Sequence, residues 1–354
     1  MNEERTYTNS GYLFSCCLLN LFLFKPFSLD LDFYFLYRGG RVLDVTSTST
    51  TKMSSDADDH PASKRPKVQF ESSTPSNMAP TTPSFDLPMV NHPFTSLKEF
   101  QRIIAEKSAT IDESDEGQYL TFNKVGPETF QKIETSRREG DTGLRFTYFA
   151  DVEVLILKVV TKAHEKAHRS LGTRITIKSL SGMNMGFGEL MEHGAAKYNG
   201  PNSSKEGDSA YINQRVRSQA GDWPSLVIES GKSESLLRLR VDARWWIQNS
   251  NGQVNIVIII HVNPTDKKIQ IEKWISGSSA GTRVSPRLTQ AVFPTRTAQI
   301  SIDQSATPFI TTGAPLVLEF DKVFCRQPVT LLEQDILFSQ QELEQWAQML
   351  WVGI

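Results

Sequence analysis

The stretch DWPSLVIESGKSESLLRLRVDARWWIQNSNGQVNIVIIIHV, residues 222–262, decides the fold. Leu226, Val227 and Ile228 run without a polar break between Pro224 and Gly231. A short apolar run bounded by turn residues reads as a strand buried on both faces. Glu229 stands at its end. The following LLRLRVDARWWI, 236–247, fits two periods. Leu237, Leu239, Val241 and Ala243 alternate with charges, as in a strand. Leu236, Leu239, Ala243 and Trp246 recur at helical spacing. Leu, Arg and Ala favour a helix, and Ser233 and Ser235 are natural N-caps, so a helix is expected. VNIVIIIHV, 254–262, is a second buried strand. NPTDKK turns the chain and IQIEKWI, 269–275, returns as a hairpin partner. Residues 222–274 therefore read as strand–helix–strand–strand.

Outward from this unit the pattern weakens. SAYIN, 209–213, is a short strand after the polar break NGPNSSKEGD. Asp151–Leu171 reads as one long amphipathic helix with Val152, Leu155, Ile156, Val159, Ala163 and Ala167 on its apolar stripe. A turn region at Gly182, Gly186 and Gly188 precedes a short helix expected over GELMEHGAAKY, 188–198. The GMNMGFG segment lacks the spacing and the preceding strand of a phosphate loop. YLTFNKV and LRFTYFA are strands. TSLKEFQRIIAEK, 95–107, is a helix capped by Thr95 or Ser96, with Leu97, Phe100, Ile103 and Ile104 inward. Downstream, a Gly/Ser-rich connection at 276–285 leads to two β-like segments, TAQISI and PLVLEFDKVF. Ser339 and Glu342 have capping-box spacing and open a closing helix, with Leu343, Trp346, Ala347, Leu350 and Trp351 on its apolar face.

The chain has 354 residues, room for one large domain or two ordinary ones. A 39% apolar content supports a sizeable core. The net charge of −2 is not the strongly basic footprint of an obligate nucleic-acid binder, though it leaves room for a local basic groove. Cys16, Cys17 and Cys325 supply neither a disulfide framework nor a zinc ribbon, which points to a reducing compartment. The apolar run at 11–27 has only Arg5 before it, offset by Glu3 and Glu4, and no clear small-residue cleavage site follows, so a secretory signal is not expected. Lys25 and Pro26 interrupt it short of the ~20 residues of a membrane span, and no stable membrane association is expected. Residues 1–52 read as an apolar extension, 53–93 as a disordered linker, and 94–354 as an α/β domain with its core at about 150–275. SKRPKV, 63–68, is a basic run compatible with nuclear import, and equally with a solvated charge cluster. An intracellular site, nuclear or cytoplasmic, is expected.

Three constellations carry potential chemistry. Asp208 precedes SAYIN, Glu229 ends PSLVIES, and Lys232 follows three residues later. Two carboxylates on neighbouring strand ends can hold a divalent cation, provided they lie within about 5 Å. Such an ion holds a scissile phosphate and activates water, and a lysine can offset transition-state charge. HEKAH, 164–168, formally satisfies H-E-x-x-H: His164 and His168 as zinc ligands, Glu165 as base, Glu189 or Glu192 as third ligand. Its plain reading is a solvated helix end. Trp245, Trp246 and Trp274 offer stacking surfaces for bases, or the volume of a helix–strand junction.

The 222–262 run resembles the core of the restriction-endonuclease-like, PD-(D/E)XK, superfamily, nearest to its branch of inferred restriction endonucleases. There a Pro-hydrophobic strand ends in Glu, a Ser-rich turn leads into a helix, and an aromatic-rich end enters another hydrophobic strand. With IEKW, 271–274, it is also similar to uncharacterised fungal proteins of this type. The resemblance covers roughly 150–275, weakens toward Ile354 and is absent before about residue 90. It implies a three-layer α/β domain with a mixed central sheet. It further implies hydrolysis of phosphodiester bonds in DNA or RNA with Mg2+ (or Mn2+), and it admits a homodimer. Asp208 and Glu229 match the metal ligands, Glu165 the additional helix carboxylate, and Lys232 the charge stabiliser. Gly207 replaces the motif's proline. Asp222, seven residues before Glu229, is a poorer substitute for Asp208. The lysine belongs at 231, which is Gly231. Lys232 is one step late, so strand alternation turns it away, and Arg238 or Arg240 could be the relocated basic group. The same departure fits a catalytically degenerate nuclease fold acting as a binding or accessory protein. A zinc-dependent hydrolase through HEKAH is the third reading.

Overall fold

The computed structural model describes residues 91–112, 117–137, 143–232, 236–277 and 292–352. The expected apolar extension, the SKRPKV run, most of the linker and the caps Ser233 and Ser235 lie outside the described residues. The described chain is a mixed α/β structure. It begins β1 (Asn91–Pro93), α1 (Leu97–Thr110), β2 (Tyr119–Asn123), α2 (Pro127–Ser136), β3 (Leu144–Phe149), β4 (Val154–Val159) and α3 (Lys162–Ile177). Short strands follow: β5 (Met191–Glu192), β6 (Lys197–Asn199), β7 (Ser203–Glu206) and β8 (Ser209–Ile212). Then come β9 (Leu226–Lys232), α4 (Leu236–Asn249), β10 (Ile256–Asn263), β11 (Lys268–Gly277) and β12 (Phe293–Asp303). The chain closes with β13 (Ile310–Thr312), β14 (Leu316–Leu318), α5 (Phe320–Phe324), β15 (Ile336–Phe338) and α6 (Gln340–Leu350). Among the described residues no helix is long and apolar enough to cross a membrane.

The 222–274 unit folds as its pattern demands. β9 and β10 are parallel, joined by α4, and β11 returns antiparallel to β10. Seven strands form this sheet, in the order β13-β12-β11-β10-β9-β8-β5. Alternation divides the side chains. Leu226, Ile228, Ile256, Ile258 and Ile260 pack with Ala167, Leu171 and Ile175 of α3 and Trp346 of α6. Val227, Val257 and Ile259 pack with Leu239, Ala243 and Trp246 of α4. Each fully buried aliphatic side chain contributes about 1.5–3 kcal/mol, so these contacts fix which way every β9 side chain points.

A second sheet, β1-β2-β4-β3-β7-β6, is built from the preceding chain. One face is apolar: Leu120, Phe122, Phe146, Tyr148, Leu155 and Leu157 pack with Phe100 of α1 and with Phe130 and Ile133 of α2. The other face carries Arg145, Thr147, Lys158 and Lys205, all buried.

Several expectations need correction. Asp151–Leu171 is not one helix. Val154–Val159 is strand β4, and α3 begins at Lys162. The four apolar residues 154–157 run consecutively, and the strand buries both faces: Leu155 and Leu157 on one, Val154 and Ile156 on the other. Thr161 then starts the helix by accepting the His164 N–H at 3.3 Å. GELMEHGAAKY is not helical: a 3-10 turn at Phe187–Glu189 is followed by β5 and β6, with Gly194 at φ 54° between them. The polar break holds β7, α2 went unread, and PLVLEFDKVF is strand only over Leu316–Leu318 before becoming α5. Asn91–Pro93, at the end of the expected linker, pair with β2.

Candidate active site

Asp208 and Glu229 are brought together by the β8–β9 ladder. Ser209 pairs with Ile228, so one further step sets Asp208 beside Glu229. The Ser230 N–H donates to Asp208 Oδ2 at 2.8 Å. The two carboxylates also converge on one cation. Lys158 Nζ, from β4, lies 2.5 Å from Asp208 Oδ2 and 3.4 Å from Glu229 Oε2.

The remaining oxygens have neighbours too. Glu229 Oε1 accepts the Trp246 indole N–H at 2.6 Å and lies 3.4 Å from Lys205 Nζ of β7. Asp208 Oδ1 lies 2.9 Å from His164 Nε2 and 3.7 Å from Arg145 Nε. The protonated Nε2 of His164 therefore faces this carboxylate oxygen at close range. Lys205 also reaches Asp242 of α4 at 3.0 Å, and Asp242 is paired with Arg238 at 2.9 Å. Side-chain exposure is 0% for Asp208, 1% for Glu229 and 3% for each lysine.

Charge in this cluster is balanced. Asp208, Glu229, Asp242 and Glu165 face Lys158, Lys205, Arg145 and Arg238. Burial works to raise the Asp208 carboxyl, but the His164 ring and the Lys158 ammonium outweigh it and hold Asp208 well below the usual range. Burial raises Asp242 likewise, and Arg238 and Lys205 overcome it. Glu229 goes the other way: burial and the Asp208 charge raise it more than Lys205 and Lys158 lower it. Burial pushes His164 down to about 4, against the pull of Asp208. Burial also opposes the Lys205 charge, but Asp242 and Glu229 leave it raised.

The HEKAH residues join the same cluster from α3. His164 is buried against Asp208. His168 sits between Glu165 Oε2, 3.1 Å from Nε2, and Ser209 Oγ, 2.8 Å from Nδ1. Arg145 bridges, 3.5 Å from Glu165. Burial would raise Glu165, but His168 and Arg169 bring it down to about 2. Glu192 accepts the Ser209 hydroxyl, whereas Glu189 is held by Arg326 at 2.6 Å.

No family model matches the chain, and no curated protein matches it. Among solved structures it is similar to a provisionally assigned nuclease of the DUF820 family from Anabaena variabilis. Identity is 9%, coverage is 62% of this chain and 97% of that one, and the TM-score is 0.31. So slight a likeness carries no argument about site or activity.

The other sequence candidates lie apart. β9 stays extended through Lys232, so alternation turns that side chain away from Glu229. Its ammonium reaches the carbonyls of Ile111 and Asp112, at 3.4 and 3.2 Å. Arg240 grips Glu272 at 2.6 Å, and Asp222 Oδ2 accepts the Gln219 N–H in a turn. Trp245 and Trp274 are buried and donate to Ser203 and Glu272, whereas Trp246, equally buried, belongs to the cluster through its bond to Glu229. Sequence reasoning missed Lys158, Lys205, Arg145 and Asp242. A signal was present: Arg145 and Lys158 each interrupt an apolar strand, and the two strands pair them directly. Like charges opposite each other are destabilising unless an anion lies between them, and here it is Asp208.

Neither implied metal fits these donors. Mg2+ needs near-octahedral oxygen ligands and keeps several of its waters. Asp208 Oδ2 and both Glu229 oxygens already meet ammonium, indole or amide donors, and a divalent ion would add two charges to a balanced, sealed cluster. His164, Glu165 and His168 can bring one ligand atom each within 4.8 Å of one another. However, His164 Nδ1 accepts the Thr161 N–H at 3.3 Å, so the neutral ring carries its proton at Nε2, toward Asp208. Both nitrogens of His168 are engaged as well.

Proposed function

We propose that this chain is a nuclease-like protein that does not cleave, and that it serves as a binding or accessory protein on a restriction-endonuclease-like scaffold. The three-layer arrangement of that scaffold is supported by α3 and α6 packing with one set of sheet residues and α4 with the alternate set. The likeness to fungal proteins of this type rests on the 222–274 residues alone. One observation carries the reading: the Lys158 ammonium lies between Asp208 and Glu229 in a cluster whose side chains are at most 3% exposed at these three positions. A phosphodiester and a hydrated ion have no access to carboxylates in that state. The test is to incubate the purified full chain with duplex DNA, single-stranded DNA and RNA in Mg2+ or Mn2+. Intact substrates are expected, with retarded migration in a gel for whichever nucleic acid is bound. Cleavage that disappears in Glu229→Gln would overturn the reading.

A second reading, metal-dependent hydrolysis of DNA or RNA with Asp208 and Glu229 as ligands, is favoured by a different observation. The two carboxylates come from adjacent strands and share one cation position, which is the arrangement that chemistry requires. It requires the Lys158 ammonium to withdraw.

A further inference from the structure

We infer that the outward face shared by α3 and α6 docks reversibly on an anionic lipid surface. The inference goes beyond the binding reading above, because this face of α3 is turned away from His164 and His168 and takes no part in the buried cluster.

The two helices run antiparallel and are tied along their length. Lys178 Nζ lies 2.6 Å from Glu342 Oε1, the Trp346 indole donates to Ser170 Oγ at 2.8 Å, and the Lys166 ammonium donates to the Val352 carbonyl. Their inward stripes, Ala167, Leu171 and Ile175 on one and Leu343, Trp346 and Leu350 on the other, cover the sheet. A period of 3.6 residues then turns Lys166, Arg169, Thr173 and Ile177 outward from α3, and Met349 outward from α6. Arg174 crosses between the helices, with Nη2 3.3 Å from Met349 Sδ.

Two properties coincide on this face. Ile177 is 56% exposed, Met349 58% and Val352 73%. Beside them Trp351 is half-buried, its N–H bonded to Gln304, so the ring is apolar on one side and anchored on the other. The same face carries Lys166, Arg169, Arg174 and Lys178. Its acids are Glu165 and Glu342, and both are engaged, Glu165 by Arg169 and His168 and Glu342 by Lys178. Lys166 and Arg174 meet no carboxylate among the described residues. Glu344 lies on the flank of α6 away from α3, bonded to Gln340. The chain as a whole is at −2, so this positive surplus is local.

Cations on long stems interleaved with exposed aliphatic side chains suit a lipid interface. The stems and aliphatic groups enter the acyl boundary while the charged ends reach headgroup phosphates. An acidic protein helix finds no open groove here, because Trp346–Ser170, Arg174–Met349 and Lys178–Glu342 bridge the seam. A fluid lipid layer needs no groove. Nucleic acid would use the cations but not the aliphatic groups.

The experiment measures co-sedimentation of the purified full chain with vesicles of phosphatidylcholine, alone or carrying about 30% phosphatidylserine. The wild type should bind only the anionic vesicles and be released by about 0.5 M salt. Each cation contributes about fivefold beside such a surface, so Lys166→Gln/Arg174→Gln should weaken binding about 25-fold. Ile177→Ser/Met349→Ser should weaken it about tenfold and leave any gel retardation of nucleic acid unchanged. Lys98→Gln/Lys132→Gln removes the same charge from α1 and α2 and should change binding less than about twofold. Each of these positions is exposed or half-buried, so every variant should melt close to the wild type. The apolar run at 11–27 and SKRPKV, 63–68, are present in every variant, so the differences belong to the face. A wild type that ignores the anionic vesicles overturns the inference. So does binding that neither face pair weakens, or that the control pair weakens as much. Loss with the lysine–arginine pair alone, matched by loss of nucleic-acid retardation, assigns the face to nucleic acid and overturns it as well. Cleavage of nucleic acid overturns only the non-cleaving reading, which vesicle binding does not touch.

Discussion

The β8–β9–α4 unit and the β3–β4–β7 group meet at one cluster but bring opposite charges to it. Asp208, Glu229 and Asp242 come from the first, and Arg145, Lys158 and Lys205 from the second. In the first group Asp208 and Glu229 announce themselves, because they border apolar strands, while Asp242 is hidden inside α4. The second is nearly silent, since Arg145 and Lys158 are isolated charges in apolar strands and Lys205 lies in a strand with no apolar residue at all. The contrast teaches that anions arranged as metal ligands do not specify a metal site. What faces them decides whether they hold an ion, a substrate or the protein's own lysines.

The most severe way to break this pairing is to remove the shared anion. Asp208→Ala should cost about 4 kcal/mol in urea denaturation, because it strands a buried ammonium. A loss below about 1 kcal/mol would falsify the sealed cluster, since only solvated pairs behave that way. The next effect is acid sensitivity from His164, which Asp208, Lys158 and His168 face. Its folded value of about 4 lies below the ordinary 6.5. The ring therefore contributes stability that is present above about pH 6.5 and lost as pH falls through about 4. On the order of 3 kcal/mol should disappear across that window. His164→Gln should flatten the slope there, and an unchanged slope means the ring does not titrate inside the cluster. Glu165, brought down to about 2, adds a smaller loss as pH falls from about 4.5 through 2, discounted because it is half solvated.

Trp246→Phe sharpens the comparison by sparing charge and deleting only the indole donor to Glu229. It should cost about 2 kcal/mol, the penalty for a carboxylate oxygen left short of a partner. In the Glu229→Gln background the cost should shrink, and a double-mutant cycle measures the coupling. Asp208 and Glu229 should also differ from each other. Asp208 is held ionised and Glu229 is pushed toward its neutral form, so Asp208→Asn should destabilise more at pH 7 than Glu229→Gln. The reverse order would reassign the proton. At the bottom of the scale, Arg102→Ala breaks the exposed pairs with Glu99 and Glu106 on α1, and the denaturation midpoint should not move.

Much of the architecture was legible locally. The β9–α4–β10–β11 order, the Ser96 cap of α1 and the Ser339–Glu342 box of α6 all follow from period and capping chemistry. The misreading of 151–171 shows where this fails. Alanines and branched residues at helical spacing mimic a stripe, yet 154–157 also satisfies a strand, and only the two cores on either side of β4 choose between them. β7 was missed because Ser203–Glu206 carries no apolar residue; its backbone pairing with β3 and β6 makes it a strand.

By itself, the sequence determined two buried strands, the helix between them and the hairpin that follows, because buried strands need unbroken apolar runs. The parallel pairing of β9 with β10 and the β8–β9 ladder that sets Asp208 beside Glu229 belong to the tertiary structure. Only the tertiary structure decided what those carboxylates touch. Lys158 is 50 residues from Asp208 and 71 from Glu229 along the chain, and β4 sits in a different sheet. Electrostatic partners are set by distance in space, and no local period records which strand of one sheet will press its lysine against the edge of another.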